Sequence, residues 1–335
     1  MKIAIINDTR PTHHFGCRLV MENLLNELSA NEADVIWTWP VSVDWRRHVS
    51  KVKRMPKVDA IIINGEGTIH HNTDRRFAQA LIDFAVFARD ELKTPCYLIN
   101  ATLHKNSAAA YQSLSSLRAI YVRDKGSLAE LQNAGLEGRY VPDLTFARNR
   151  NYGTQQGEGV CVIDSAIRED SEQLRAYALA HDYPFRSMIV ARPSNARFLR
   201  SPRPWVKNVI RWLKGDRHVS VEPTDYIRYL RGFGMVVTGR YHTVTMCLKN
   251  RIPFISLESN TPKVRYLLQD VMGDTSRSLS MPVLQQADLS AYSTFSAEEL
   301  ESIDQFTMTA EKAIKEMIAT IIRDAGSGCQ GNYRF

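Results

Sequence analysis

The chain has 335 residues, 44% apolar and 24% charged, with 43 Lys and Arg against 36 Asp and Glu for a formal charge of +7. That length exceeds one ordinary core of roughly 100 to 200 residues, and the composition excludes wholesale disorder and a coiled coil, while the positive balance favours acidic ligands: nucleotides, phosphates, anionic glycans or an anionic membrane surface. Five scattered cysteines (Cys17, Cys96, Cys161, Cys247, Cys329) form no CxxC pair and exclude a zinc knuckle.

The first residues, MKIAIIND, enter a strand-like run directly, with no leader pattern. No apolar window approaches the ~18 to 20 residues a bilayer span needs, so the expected location is cytoplasmic, with any membrane contact peripheral. Short apolar runs then alternate with amphipathic stretches: KIAIIN, ADVIWTW, DAIIING, CYLINA and AIYVRD. That rhythm predicts βαβ units around a buried parallel sheet. Leu19, Val20, Leu24, Leu25 and Leu28 recur at helical spacing, as do Phe77, Leu81, Phe84 and Ala88, and Leu128 and Leu131 mark a helix closed by Gly135. The polar stretch from Arg148 to Gly159 reads as a linker. A second α/β series follows, with GVCVID, SMIVA, HVSVEP, GMVVTG and IPFISLE as strands. The expected architecture is two Rossmann-like α/β domains in a GT-B-like arrangement, residues 1–150 and 151–295. A helix over 296–324, opened by Ser296 with Glu299 three residues on, packs across both, and 325–335 form a tail. The nominal GxGxxG in that tail follows no strand and opens no helix, so it is no dinucleotide site.

Polar residues gather where these strands end. NDTRPTHHFGCR places Asp8, Arg10, His13, His14 and Arg18 after the first strand, and NGEGTIHHNTD places Gly65, Glu66, Gly67, Thr68, His70, His71 and Asp74 after the third. Glycines there let a substrate approach the backbone, and Glu or His can act as a base toward a sugar hydroxyl. No metal is expected, since adjacent His70 and His71 point apart and no third ligand has diagnostic spacing. MVVTGRYHTVTM releases Arg240 and His242 from a strand end at Gly239, directly before a helix, and ISLESNTPK adds Glu258, Ser259, Asn260, Thr261 and Lys263 from a second strand end. Ligands of open α/β sheets bind at such ends, where an arginine fork, an ammonium and a helix N-terminus favour an anion. Between the two clusters, residues 197–217 combine Arg197, Arg200, Arg203, Lys207, Arg211, Lys214 and Arg217 with Trp205 and Trp212. Two readings stand: a basic amphipathic helix on an anionic membrane, or a surface helix whose aromatic face joins the core. No nucleic-acid module is legible.

NGEGTIHH, VRDKGSLAELQNAGL, VPDLTF and GRYHTVTMCLKNRIPFISLESNTPK, in that order over Asp59 to Leu268, resemble the polysaccharide pyruvyl transferases. The resemblance implies a GT-B-like fold and transfer from phosphoenolpyruvate, a substrate and not a cofactor, to two hydroxyls of a cell-surface sugar, giving a ketal. It implies donor contacts from Gly239, Arg240 and His242, assisted by Lys263, with a glycan or lipid-linked glycan as acceptor. His242 is the candidate acid, and the base stays open among Glu66, His70 and His71. Two alternatives stand beside it: a glycosyltransferase using a nucleotide-activated sugar, such as an acidic one carried on CMP, and a non-catalytic subunit of a polysaccharide assembly complex.

Overall fold

The computed structural model describes residues 1–148, 157–193, 202–258 and 261–327. The expected linker therefore lies largely outside the described residues, as do residues 197–201 of the basic stretch, Ser259 and Asn260, and nearly all of the tail. In the first lobe, β1 (Lys2–Asp8), β2 (Asp34–Pro40), β3 (Ala60–Glu66), β4 (Cys96–Ala101), β5 (Ala119–Val122) and β6 (Arg139–Tyr140) form a parallel sheet in the order β2-β1-β3-β4-β5-β6. In the second, β7 (Val160–Ser165), β8 (Phe185–Arg186), β9 (Met235–Gly239), β10 (Phe254–Leu257) and β11 (Ser278–Leu279) are parallel in the order β11-β10-β9-β7-β8. Strands buried on both faces need near-continuous apolar runs, and every residue of β3 and β9 is buried. The result is a pair of Rossmann-like lobes with the carboxyl ends of β1, β3, β5 and β9 gathered at one edge.

Apolar packing falls into three layers. One cluster covers the outer face of the first sheet (Trp45, Phe84, Leu98, Ile120) and another the outer face of the second (Leu174, Tyr177, Leu257, Met281). The third joins the two lobes, running from Ile5 and Phe15 through Tyr226, Val236 and Tyr241 to Ile314 and Ile318. Phe15 stacks on Tyr226 with ring centroids 4.4 Å apart. The closing helix, Ala297–Ser327, begins at the expected capping box: Ser296 N donates to Glu299 Oε2 at 2.8 Å, and Glu299 N donates to Ser296 Oγ at 3.2 Å. At its far end Asp324 accepts from Tyr97 Oη and Arg118, so the helix ties the second lobe back to the first.

Two expected strands are not strands. SMIVA leaves the second sheet after β8, because the Asp164 carboxylate captures Met188 N at 3.0 Å and Ser187 Oγ at 2.6 Å. The segment then pairs with the first lobe: Phe15 N donates to Met188 O, Val190 N donates to His13 O, and His14 and Ile189 form an antiparallel bridge. HVSVEP joins no ladder; Val219 and Val221 pack on the shared core ahead of the helix Pro223–Arg231.

The clasp leaves no room at Gly16 in the helix Phe15–Ala30. A Cβ there would stand 2.2 Å from His242 Cβ and 2.3 Å from its Cγ. These atoms sit close to the backbone and cannot swing away, so Gly16→Ala is expected to destabilise the protein by about 1 to 3 kcal/mol. Denaturant unfolding checks this, and a variant as stable as the parent would mean that the lobes do not meet there.

Candidate active site

β9 delivers Arg240 and His242. Gly239 lies against Ser165, where an added Cβ would be 2.4 Å from Ser165 Cβ, so β9 and β7 close tightly and bring Arg240 onto Asp164. Arg240 Nε donates to Asp164 Oδ1 at 2.9 Å and Nη2 to Oδ2 at 2.7 Å. The planar fork expected to meet a ligand is thus occupied on one edge, and Nη1 is the group left for an incoming anion. His242 lies in the first turn of the helix Tyr241–Lys249, buried, with Nε2 3.7 Å from Asp143 Oδ2. After β10, Thr261 is buried and Lys263 opens the helix Lys263–Met272. Glu258 turns to the surface and pairs with Arg265 at 3.2 Å, away from this group.

The first lobe supplies two charged residues that carried no role in the sequence reading. Arg123, at the end of β5 and 2% exposed, donates to Thr102 Oγ1 and to Asp143 Oδ2, both at 2.8 Å, and lies 4.3 Å over the Tyr241 ring. Asp143 also accepts from Thr145 N and Thr145 Oγ1 on Oδ1. Burial works against its charge, but His242, Arg123 and the Thr145 amide outweigh that and hold the carboxyl well below its usual range. Each of the two follows an apolar strand-like run, in VRD and VPD, the same signal that singled out Arg240.

Glu66 ends β3 with φ 42°, a left-handed conformation that costs a glutamate energy. Thr9 Oγ1 (2.6 Å) and Asn64 Nδ2 (3.0 Å) donate to its Oε1, and Cys17 Sγ to its Oε2 at 3.0 Å. Gly67 follows, and a Cβ there would lie 3.4 Å from Arg123 Nη2 and 3.5 Å from Lys263 Nζ. The GEGT turn is therefore where cations of both lobes converge, with Thr68 N bonded to Gly65 O.

His70 accepts from Arg75 at Nε2, which leaves its proton on Nδ1 facing His71 Nδ1 at 2.9 Å. Burial, then Arg75 and Lys263, push it down to about 3. A neutral ring with its lone pair taken does not serve as the base expected of it. His71 receives the His70 proton and packs on His104, one residue further from the cation cluster. His14 caps the helix Phe15–Ala30 by accepting from Cys17 N, and burial with His242, Arg240 and Lys263 drives it well below its ordinary value. Arg18 bridges the lobes to Glu222 at 2.9 Å. Asp8 and Arg10 pair with each other, and the His13 carbonyl belongs to the clasp. These residues shape the wall on the first lobe's side.

Ring nitrogens of His14 and His242 and Cys17 Sγ lie within 4.8 Å of one another. Burial and the Glu66 charge push the Cys17 thiol well up.

A family model for polysaccharide pyruvyl transferase matches residues 14–261, which spans both lobes and every residue just placed except Lys263, Arg265 and the β1 loop before His14. The chain belongs to this family. No curated protein matches it in sequence. Among solved structures, the HepE protein of Anabaena in complex with UDP and glucose is similar at TM-score 0.53 and 10% identity, over 96% of this chain and 100% of that one. A putative UDP-N-acetylglucosamine 2-epimerase of Listeria monocytogenes gives 0.52 and 11%, over 100% and 98%. UDP-GlcNAc 2-epimerase of Methanocaldococcus jannaschii gives 0.50 and 11%, over 92% and 100%. These likenesses establish the GT-B-like fold of this pyruvyl transferase family member.

Burial, then the charges of Arg123, Arg240 and Arg75, push Lys263 down to about 7. The fold therefore disfavours protonated Lys263 relative to the unfolded chain. That cost is full below about pH 7 and fades as pH climbs toward the ordinary lysine value of 10.5. Lys263→Met is expected to raise the melting temperature at pH 7, by somewhat less per kcal/mol than the roughly 2 to 4 °C of a chain of about 150 to 250 residues. It should also flatten the rise of stability between neutral and alkaline pH. A variant less stable than the parent at pH 7 would show that the ammonium is stabilised where it lies.

Proposed function

We propose that this protein transfers a pyruvyl group from phosphoenolpyruvate to two hydroxyls of a glycan or lipid-linked glycan, forming a ketal. The observation that carries the reading is the convergence of Arg123 and Lys263 on the GEGT turn, with the Arg240 charge acting on Lys263, beside an imidazole that faces a buried carboxylate. Phosphoenolpyruvate bears three negative charges on two groups, and three cations from two lobes suit it, with Arg240 Nη1, Lys263 Nζ and Arg123 Nη2 as the contacts.

His242 is the proton carrier. Its proton goes to the methylene carbon of the donor, the electrophilic central carbon takes the oxygen of the first hydroxyl, and that hydroxyl's proton returns to the neutral imidazole. Loss of phosphate then opens the same carbon to the second hydroxyl, whose proton leaves with the phosphate, so that one phosphoenolpyruvate and two hydroxyls give one ketal and one hydrogen phosphate. Asp143 faces His242 Nε2 at 3.7 Å from the other lobe. Arg123, Thr145 N and Thr145 Oγ1 hold Asp143 in turn.

Thermal unfolding with phosphoenolpyruvate, CMP, UDP and GDP separates this reading from nucleotide-sugar transfer. Phosphoenolpyruvate at a hundredfold its dissociation constant should stabilise the protein by about 2.7 kcal/mol, and the nucleotides should not. The reverse pattern rejects pyruvyl transfer. His242→Gln is expected to keep the phosphoenolpyruvate shift while lowering product formation, read by mass spectrometry, by about 100-fold to 10,000-fold. Full activity in that variant would move the proton transfer to another residue.

A further inference from the structure

The basic stretch forms the helix Pro202–Arg211 and a further turn, Trp212–Asp216. The two tryptophans expected to face a membrane are only partly exposed. The outward row is aliphatic: Val206, Ile210 and Leu213 are 46%, 48% and 57% exposed. Their spacing of four and three residues sets them on one helical face. Other large exposed apolar side chains, such as Leu179, Val283 and Met308, belong to separate elements, so among the described residues this row is the one place where three stand together. Lys207, Lys214 and Arg217 stand exposed around it. The acid of this stretch, Asp216, is turned inward, where it pairs with Arg211 and accepts from Ala191 N.

From this pairing of an aliphatic row with exposed cations and an inward acid, we infer that the face of residues 206–217 is a docking surface for an anionic lipid bilayer. An aliphatic row flanked by cations fits an interface whose headgroups are negative and whose chains begin just below, whereas a protein groove would leave the flanking charges to be matched one by one. The position of the face gives it a purpose. Arg211 Nη2 donates to the carbonyl of Ile189, and Ile189 is bridged to His14 at the wall of the candidate site. The bilayer would lie beside the opening between the lobes, where a lipid-linked acceptor could reach the GEGT turn without leaving the membrane. The surface stands independently of which donor the cleft takes.

Co-sedimentation of the full chain with vesicles tests this. Phosphatidylcholine vesicles containing phosphatidylglycerol should pull down the protein, pure phosphatidylcholine should not, and high salt should release it. Each cation near such a surface is worth about fivefold in affinity, so Lys207→Glu with Lys214→Glu should weaken binding by about 30-fold or more. Ile210→Asp with Leu213→Asp should abolish sedimentation while leaving the unligated melting temperature and the ligand shift of the cleft as in the parent. Absence of binding to the anionic vesicles, or equal binding by parent and both variants, overturns the assignment. So does a dimer in gel filtration that the Ile210→Asp, Leu213→Asp variant dissolves, since a second copy would then cover the row.

Discussion

The rest of the site depends on the buried Asp143 carboxylate. It belongs to the first lobe, yet its neighbours are Arg123 from the same sheet and His242 from the other lobe. A carboxylate with no exposure would be costly without partners, and here the guanidinium, the Thr145 amide and the Thr145 hydroxyl satisfy it before His242 is counted. The charge therefore has first-lobe partners of its own, and it stands 3.7 Å from His242 Nε2. Gly16 completes the arrangement by admitting the helix Phe15–Ala30 to contact with His242 itself.

Asp164 plays the matching part in the second lobe. It holds Arg240 by two bonds and, with the same two oxygens, holds Ser187 Oγ and Met188 N. The segment beyond Met188 is the one that clasps His13 to Phe15 of the first lobe. One carboxylate therefore sets both the direction of the Arg240 guanidinium and the seat of the opposing lobe. Arg240 and the start of the clasp thus share one partner.

The sheet strands with long apolar runs were legible, because β1, β3, β4, β9 and β10 are buried on both faces and need little else to specify them. Arg240, His242 and Lys263 were legible as a group for the same reason, each following a strand that could be recognised. SMIVA and HVSVEP show the limit. Their apolar content is equally strand-like, but whether such a run extends a sheet or bridges two lobes depends on which carboxylate meets its amides, and Asp164 lies more than twenty residues away in the chain. The neutral state of His70 was hidden likewise, since it depends on Arg75 and on a lysine from the other lobe. The outward row of Val206, Ile210 and Leu213 was hidden by its own tryptophans, which attract attention by size while standing only partly exposed.

Arg123, Arg240 and Lys263 are not equivalent, and the difference bears on how so much positive charge is tolerated in one region. Arg123 and Arg240 each carry a dedicated carboxylate, so their charges are compensated whether or not a ligand is present. Lys263 is placed against Arg123, Arg240 and Arg75, and the field there works mainly against its charged form. The protein can lower that cost by releasing a proton from a lysine, as it cannot from an arginine. Lys263 is thus the member of the three whose charge the fold itself can adjust.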